Sequence, residues 1–341
     1  DADTTLSINQ TIPLGGDRGW ARDAASAWAR VATADLVLQR TRLLASTAQA
    51  YVDAQAASET LSLRTELLEI ANNSAAAIRS RVDAGRASPI ERNRAEMLVG
   101  LATIAANDAQ SAQVAANDQL VAIWSGNALS GELTSPLGSF DLSAFIGANP
   151  IEWISNNPGL NQLRSITRAR GLDIRRERAE AIPDVTVGAG VRRFGATDET
   201  AFVATLEIPI PVINRNQGGI AAAASRENAA RFNEETMRRS LIAQYAGSAG
   251  RFARAQSTYA QLNENILPAS ENALSAAQEA YREGAMDILN FLDIQRSYFD
   301  VRVDLIAARA ELARAAIELD AIAGAPQLTR LAQTNEEQAA Q

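Results

Sequence analysis

The chain has 341 residues and a formal net charge of −8, and its 32 basic residues are all arginine; no basic run stands clear of acidic neighbours, which excludes a nucleic-acid footprint. Cysteine and histidine are both absent, which excludes disulfides, thiol nucleophiles, the common zinc sites and histidine acid–base catalysis. Hydrophobic residues make up 47% of the chain but aromatic residues only 5%, an alanine-dominated balance that favours long helices in shallow contact over a thick globular core.

The first element is a strand over Thr5–Leu14, with Leu6, Ile8 and Ile12 on one face and Thr5, Ser7, Asn9 and Thr11 on the other, Gln10 being the exception. Period two over that span predicts a strand with one apolar side. Gly15 and Gly16 hand it over to an alanine-rich helical pattern from Asp17 to about Asp83, which would reach roughly 100 Å if unbroken. The segment Val82-Asp-Ala-Gly-Arg-Ala-Ser-Pro89 ends it, with Gly85 suited to a helix C-cap. Ser88-Pro89-Ile90-Glu91 then fits an N-cap, a proline at the first helical position and a capping-box glutamate. The helix that follows closes at Ala-Ile-Trp-Ser-Gly126, and residues 127–158, rich in Gly, Ser, Asn and Pro, read as a connector.

A helix from residue 159 leads into a hairpin. Val185, Val187, Ala189 and Val191 alternate with Thr186, Gly188, Gly190 and Arg192, and after the turn at Gly195–Thr200 Phe202, Ala204, Leu206 and Ile208 alternate with Val203, Thr205 and Glu207. A second long helical pattern runs from Asn216 to about Glu283, where Pro268 predicts a kink. The glycine turn Tyr281-Arg-Glu-Gly-Ala-Met-Asp287 ends it, and Asp287 with Asn290 takes the place that Ser88 and Glu91 hold earlier. A last helix closes at Ala-Ile-Ala-Gly324, and the polar tail over 325–341 is expected to be disordered.

These elements say one thing twice. Thr5–Leu14 with its helix, glycine turn and second helix returns as Val203–Val212 with its own. The organisation is therefore a first repeat over 1–126, a connector over 127–158 and a second repeat over 159–324, an internally duplicated, mainly α chain with a small antiparallel β part. No run of about 18 apolar residues is present, so a transmembrane helix is not expected, but strands of a membrane barrel need only about 9 to 11 residues.

That order of elements resembles the outer-membrane channels of bacterial tripartite efflux and secretion systems, the TolC family. Ile266-Leu-Pro268, Ala273-Leu, Ala280-Tyr281, Gly284 and Asp287-Ile-Leu-Asn-Phe-Leu-Asp293 are similar to that family's second repeat, and Gln10-Thr-Ile-Pro-Leu-Gly-Gly-Asp-Arg18 with Arg22 to its cation-efflux, CzcC-like branch. The resemblance covers residues 4 to about 324. It implies a long α-helical barrel plus a membrane β-barrel shared among three protomers, in the bacterial outer membrane with the helices in the periplasm. It implies as partners two further copies of the chain, outer-membrane lipid, a periplasmic adaptor protein and an inner-membrane pump of the resistance-nodulation-division type. Four strands per protomer are expected in that family and three segments are visible here, which implies further residues before Asp1.

The resemblance places Gly85, Arg86, Ser88, Gly284, Ala285 and Asp287 at the periplasmic tips that meet the adaptor. It places Asp293 and Asn290 at the constriction of the periplasmic mouth, and Tyr281 and Glu91 among the residues that hold the mouth closed. Asn290 stands where the best-known members have an acid, and Met286 where they have an arginine, so that ionic latch cannot form as such; Arg86 and Arg282 are the candidate substitutes. The plainer reading of Asp293 is a solvated residue, or one paired with Arg296. Function on this basis is a passive exit duct, for divalent metal cations or other small molecules, with no catalytic step, cofactor or resident metal. The alternatives are a soluble periplasmic helical-hairpin adaptor and an extended coiled-coil structural protein. Nothing places paired carboxylates in a dry pocket, and three scattered methionines, Met97, Met237 and Met286, do not make a soft-metal relay.

Overall fold

The computed structural model describes residues 3–124, 126, 133, 149–197 and 199–331. In chain order the elements are β1 (Thr4–Ile12), α1 (Asp17–Asp83), α2 (Pro89–Ala122), α3 (Pro150–Ser155), α4 (Pro158–Ala179), β2 (Val185–Arg193), β3 (Thr200–Glu207), α5 (Gln217–Gln261), a π-helical turn (Leu262–Ile266), α6 (Leu267–Arg282) and α7 (Ile288–Ile322). The compact units are not the sequence repeats. One unit comprises residues 1–40 and 154–242, the other 41–153 and 243–341, so each draws on both repeats. A strand or helix hairpin with a thin alanine face cannot bury itself alone, and each copy is completed by its counterpart.

The first unit carries the sheet, in the order β1-β2-β3, antiparallel throughout. Its register aligns Leu6 with Val191 and Phe202, Ile8 with Ala189 and Ala204, and Gln10 with Val187 and Leu206. Directly opposed residues share a face, so Leu6, Ile8, Val187, Val191, Phe202 and Leu206 form one surface and Asn9, Thr11, Thr186, Val203, Thr205 and Glu207 the other. Among the described residues nothing covers that apolar surface: Leu6, Ile8 and Phe202 are 78%, 80% and 91% exposed. Gly190 is required by β1, because a Cβ there would lie 2.6 Å from the Leu6 carbonyl oxygen. Where the strands end, Asn216 Nδ2 donates to the Glu177 carbonyl at 2.9 Å and Arg170 lies 4.6 Å over the Trp28 ring, tying α5 and α1 to α4.

In the second unit, α1 and α7 are joined along their length by the ion pair Glu59–Arg309 and by Asp53–Arg314 at 2.7 Å, Arg64–Asp300 at 3.1 Å and Glu66–Arg302 at 3.5 Å. Beneath this ladder lie thin cores such as Val52, Ala310, Ala313 and Ile317. The consequence of Pro268 is a π-helical turn rather than a simple bend: the Leu267 N–H donates to the Leu262 carbonyl, five residues back. Proline removes one donor and its ring crowds the carbonyl four residues earlier, and one inserted residue relieves both.

The expectation of a disordered tail over 325–341 is corrected for its first part. After Gly324 (φ 96°) the chain turns back, residues 326–331 are helical, and Ala325 and Leu328 enter the core beside Val52 and Ile317. The fully buried Asp320 draws this segment in, its carboxylate accepting from the Gln327 and Leu328 N–H groups at 3.1 and 3.0 Å. Burial raises the Asp320 carboxyl above its ordinary value of 3.8, against those two hydrogen bonds and the Arg330 charge. Residues 332–341 and most of the predicted connector lie outside the described residues; its last part, 149–158, holds α3 and the Asn157 cap of α4.

Candidate functional site at the helix tips

The two glycine turns have the same construction. After α1, the Gly85 N–H donates to the Val82 carbonyl at 2.9 Å and the Arg86 N–H to the Arg81 carbonyl at 2.7 Å; after α6, Gly284 donates to Tyr281 at 3.1 Å and Ala285 to Ala280 at 2.8 Å. This double bond pattern needs a left-handed residue between helix and loop, and Gly85 and Gly284 supply it at φ 71° and 76°. The next helices start alike. Ser88 Oγ accepts from the Ile90 N–H at 3.2 Å while the Ser88 N–H donates to Glu91 Oε1 at 3.0 Å, a complete capping box. Asp287 Oδ1 accepts from the Leu289 and Asn290 N–H groups at 2.9 and 3.1 Å, and the Asn290 amide donates back to Asp287 Oδ2.

Ser88, Glu91, Asp287 and Asn290 are therefore engaged in shaping the tips. Gly85, Arg86, Gly284, Ala285, Arg282 and Glu283 are exposed on the turns. Under the turns, Ile78, Ala75, Ala95, Ile288 and Leu292 form a buried cluster against which Tyr281 and Phe291 pack. The two rings stack at 5.3 Å with an interplanar angle of 11°, fixing the direction of the Tyr281 hydroxyl.

Two polar contacts cross from one repeat to the other. Arg81 Nη1 donates to the Tyr281 hydroxyl at 3.2 Å, and Arg94 Nη2 to Asp293 Oδ2 at 3.0 Å. Neither arginine was expected from the sequence; Arg86 and Arg282 were the named substitutes, and neither contacts Tyr281 among the described bonds. The alternative partner of Asp293, Arg296, instead lies 3.7 Å from Asp300, which Arg64 also holds. The signal for Arg94 was present in the duplication: Arg94 and Asp293 stand at the same position after their N-caps, Ser88 and Asp287. The Arg94 and Asp293 side chains are 44% and 51% exposed, and exposed pairs of this kind each contribute only about 0.2 to 1 kcal/mol. The tip is held by several weak contacts over an apolar cluster.

Among the described residues no group of three or more acidic, histidine or cysteine side chains could hold a metal ion. Among the described residues no helix is long and apolar enough to cross a membrane.

The family described as outer membrane efflux protein matches residues 1–126 and 150–325. The cobalt-zinc-cadmium resistance protein CzcC of Cupriavidus metallidurans is 27% identical over 323 residues, covering 94% of this chain and 77% of that protein. The nickel and cobalt resistance protein CnrC of the same organism is 31% identical over 254 residues, 71% of this chain and 59% of its own length. The nickel-cobalt-cadmium resistance protein NccC of Alcaligenes xylosoxydans xylosoxydans is 29% identical, and the match spans 57% of its length. Among solved structures, CusC superposes with a TM-score of 0.76 at 19% identity, over 94% of this chain and 77% of that one. The open-state MtrE outer membrane channel of Neisseria gonorrhoeae gives 0.75 at 19% identity, over 95% and 80%.

Proposed function

The chain belongs to the outer membrane efflux protein family, and from that premise we propose that it is the exit duct of a tripartite efflux system, carrying its cargo passively from the periplasm to the outside. The fold is the TolC type, in which long helices form a barrel continued by a membrane β-barrel. The observation that carries the proposal is the sheet, three strands with Leu6, Ile8, Val187, Val191, Phe202 and Leu206 on one exposed face and both outer edges unpaired among the described residues. Lipid tolerates such strands only when every edge is closed, which calls for pairing with strands beyond the three described, as in a barrel shared with two further copies of the chain.

The cargo is a divalent transition-metal cation, a reading supported by the names of the three relatives. The chain performs no chemical step; the pump supplies the energy and the duct the path. A periplasmic adaptor engages the exposed turns, with Arg86, Gly85, Gly284 and Ala285 presenting the surface and Ser88 and Asp287 keeping its shape. The mouth narrows at Asp293 and Asn290, and the contact of Tyr281 with Arg81 takes the part of the latch that Met286 cannot. Glu91 serves it indirectly, by fixing the start of α2.

The test is the mass of the protein in mild detergent, followed by conductance in a planar bilayer. A particle of three chains of 36.3 kDa each that forms conducting channels is expected; a detergent-free monomer with no conductance would favour a soluble adaptor or a coiled-coil rod.

A further inference from the structure

We propose that Arg94 sets the ionic character of the tip constriction by holding Asp293 in a one-to-one ion pair, so that the ring facing the duct is close to neutral instead of acidic. This rests on the reading of Asp293 as lining the mouth. Around Asp293 on α7, Asn290 is uncharged and turned to Asp287, while Arg296 and Arg64 are engaged by Asp300. On the facing α2, Glu96 is held by Arg79 at 3.2 Å. Arg94 is therefore the cation that compensates Asp293, at 3.0 Å.

The physical consequence concerns dwell time. A ring of uncompensated carboxylates, repeated around a symmetry axis, concentrates cations and binds a divalent ion through several charges at once. Conduction needs binding weak enough for release, and a duct whose cargo is a divalent cation would be plugged by its own cargo. A guanidinium at each carboxylate removes that trap. The pairing also joins the same position in the two repeats, which lets one duplicated site carry both members of the pair.

The experiment is single-channel recording of the purified full-length protein in a planar bilayer, with cobalt(II) chloride titrated from the side of the helix tips. Arg94→Gln is expected to lower the half-blocking cobalt concentration about tenfold or more and to raise potassium over chloride selectivity, because three bare carboxylates then act together. Arg94→Lys keeps the charge and stays close to the parent, and Arg94→Gln combined with Asp293→Asn returns to it. Trimer mass and helical content, compared first, separate these effects from misfolding. If Asp293→Asn alters selectivity while Arg94→Gln changes neither selectivity nor block, the compensation is overturned and the constriction stands. If Asp293→Asn and Asp293→Lys both leave conductance and selectivity unchanged, the constriction reading itself fails and takes this inference with it.

Discussion

Gly85 and Gly284 hold the same left-handed backbone, φ 71° and 76°, at equivalent points of two hairpins, and a Cβ at either would meet nothing within 4 Å. The requirement for glycine at the tips is thus one of backbone conformation alone, set by the return hydrogen bonds to Arg81 and Ala280.

Gly284→Ala is expected to cost about 1 to 2 kcal/mol, the penalty of a side chain in the left-handed region. Gly250→Ala is the matched control: it lies inside α5, with open space around its Cβ and no positive φ, and should gain about 0.5 to 1 kcal/mol of helix preference. Thermal midpoints in detergent should move in opposite directions; a shared direction would show that space, not backbone, governs both sites.

Ser88→Ala removes the acceptor of the capping box and should cost about 1 kcal/mol. Amide exchange should accelerate at Ile90 and Glu91 in the first turn of α2, while Leu289 and Asn290, capped by Asp287, keep their rates. Acceleration at both tips would mean that the hairpins open as one body.

Tyr281→Phe keeps the ring stacked on Phe291 and deletes only the hydroxyl that Arg81 reaches. On the proposed latch role, the loss of about 0.5 to 1.5 kcal/mol should raise the open probability in bilayers several-fold, and Tyr281→Ala should exceed it. An unchanged open probability in Tyr281→Phe would remove this contact from the latch.

Asp320 has its carboxyl raised above 3.8, chiefly by burial. The folded chain then holds that proton more tightly than the unfolded chain, so this contribution to stability is full below the ordinary value and is lost as pH rises through the raised one. The stability of Asp320→Asn relative to the parent should therefore improve from pH 4 upward, read as the slope of the thermal midpoint, even though the amide offers one acceptor fewer to Gln327 and Leu328. Asp320→Ala leaves both N–H groups buried without a partner and should cost about 1 to 3 kcal/mol, most at low pH, where the parent's raised carboxyl contributes in full.

Local signals carried the elements. Alternation at Leu6, Ile8, Phe202 and Leu206 marked the strands, because side-chain direction in a strand has period two. Gly85 with Ser88 and Glu91, and Gly284 with Asp287, marked the tips, because caps act within a few residues of the helix ends they close. The duplication tied these pieces into one architecture. The sequence by itself thus determined the long helices, their ends at the tips, the faces of the strands and the family likeness, but not the short helices at 150–155 and 326–331. The tertiary structure alone decided what meets across the repeats, Arg94 with Asp293 and Arg81 with Tyr281, and that the chain after Gly324 returns onto Asp320 at Leu328. Those choices depend on which arginine reaches which acceptor once two helices are packed at a given rotation. A charge on an exposed helix face has several partners within reach of a long, flexible side chain, and only the packing of the thin alanine cores selects among them.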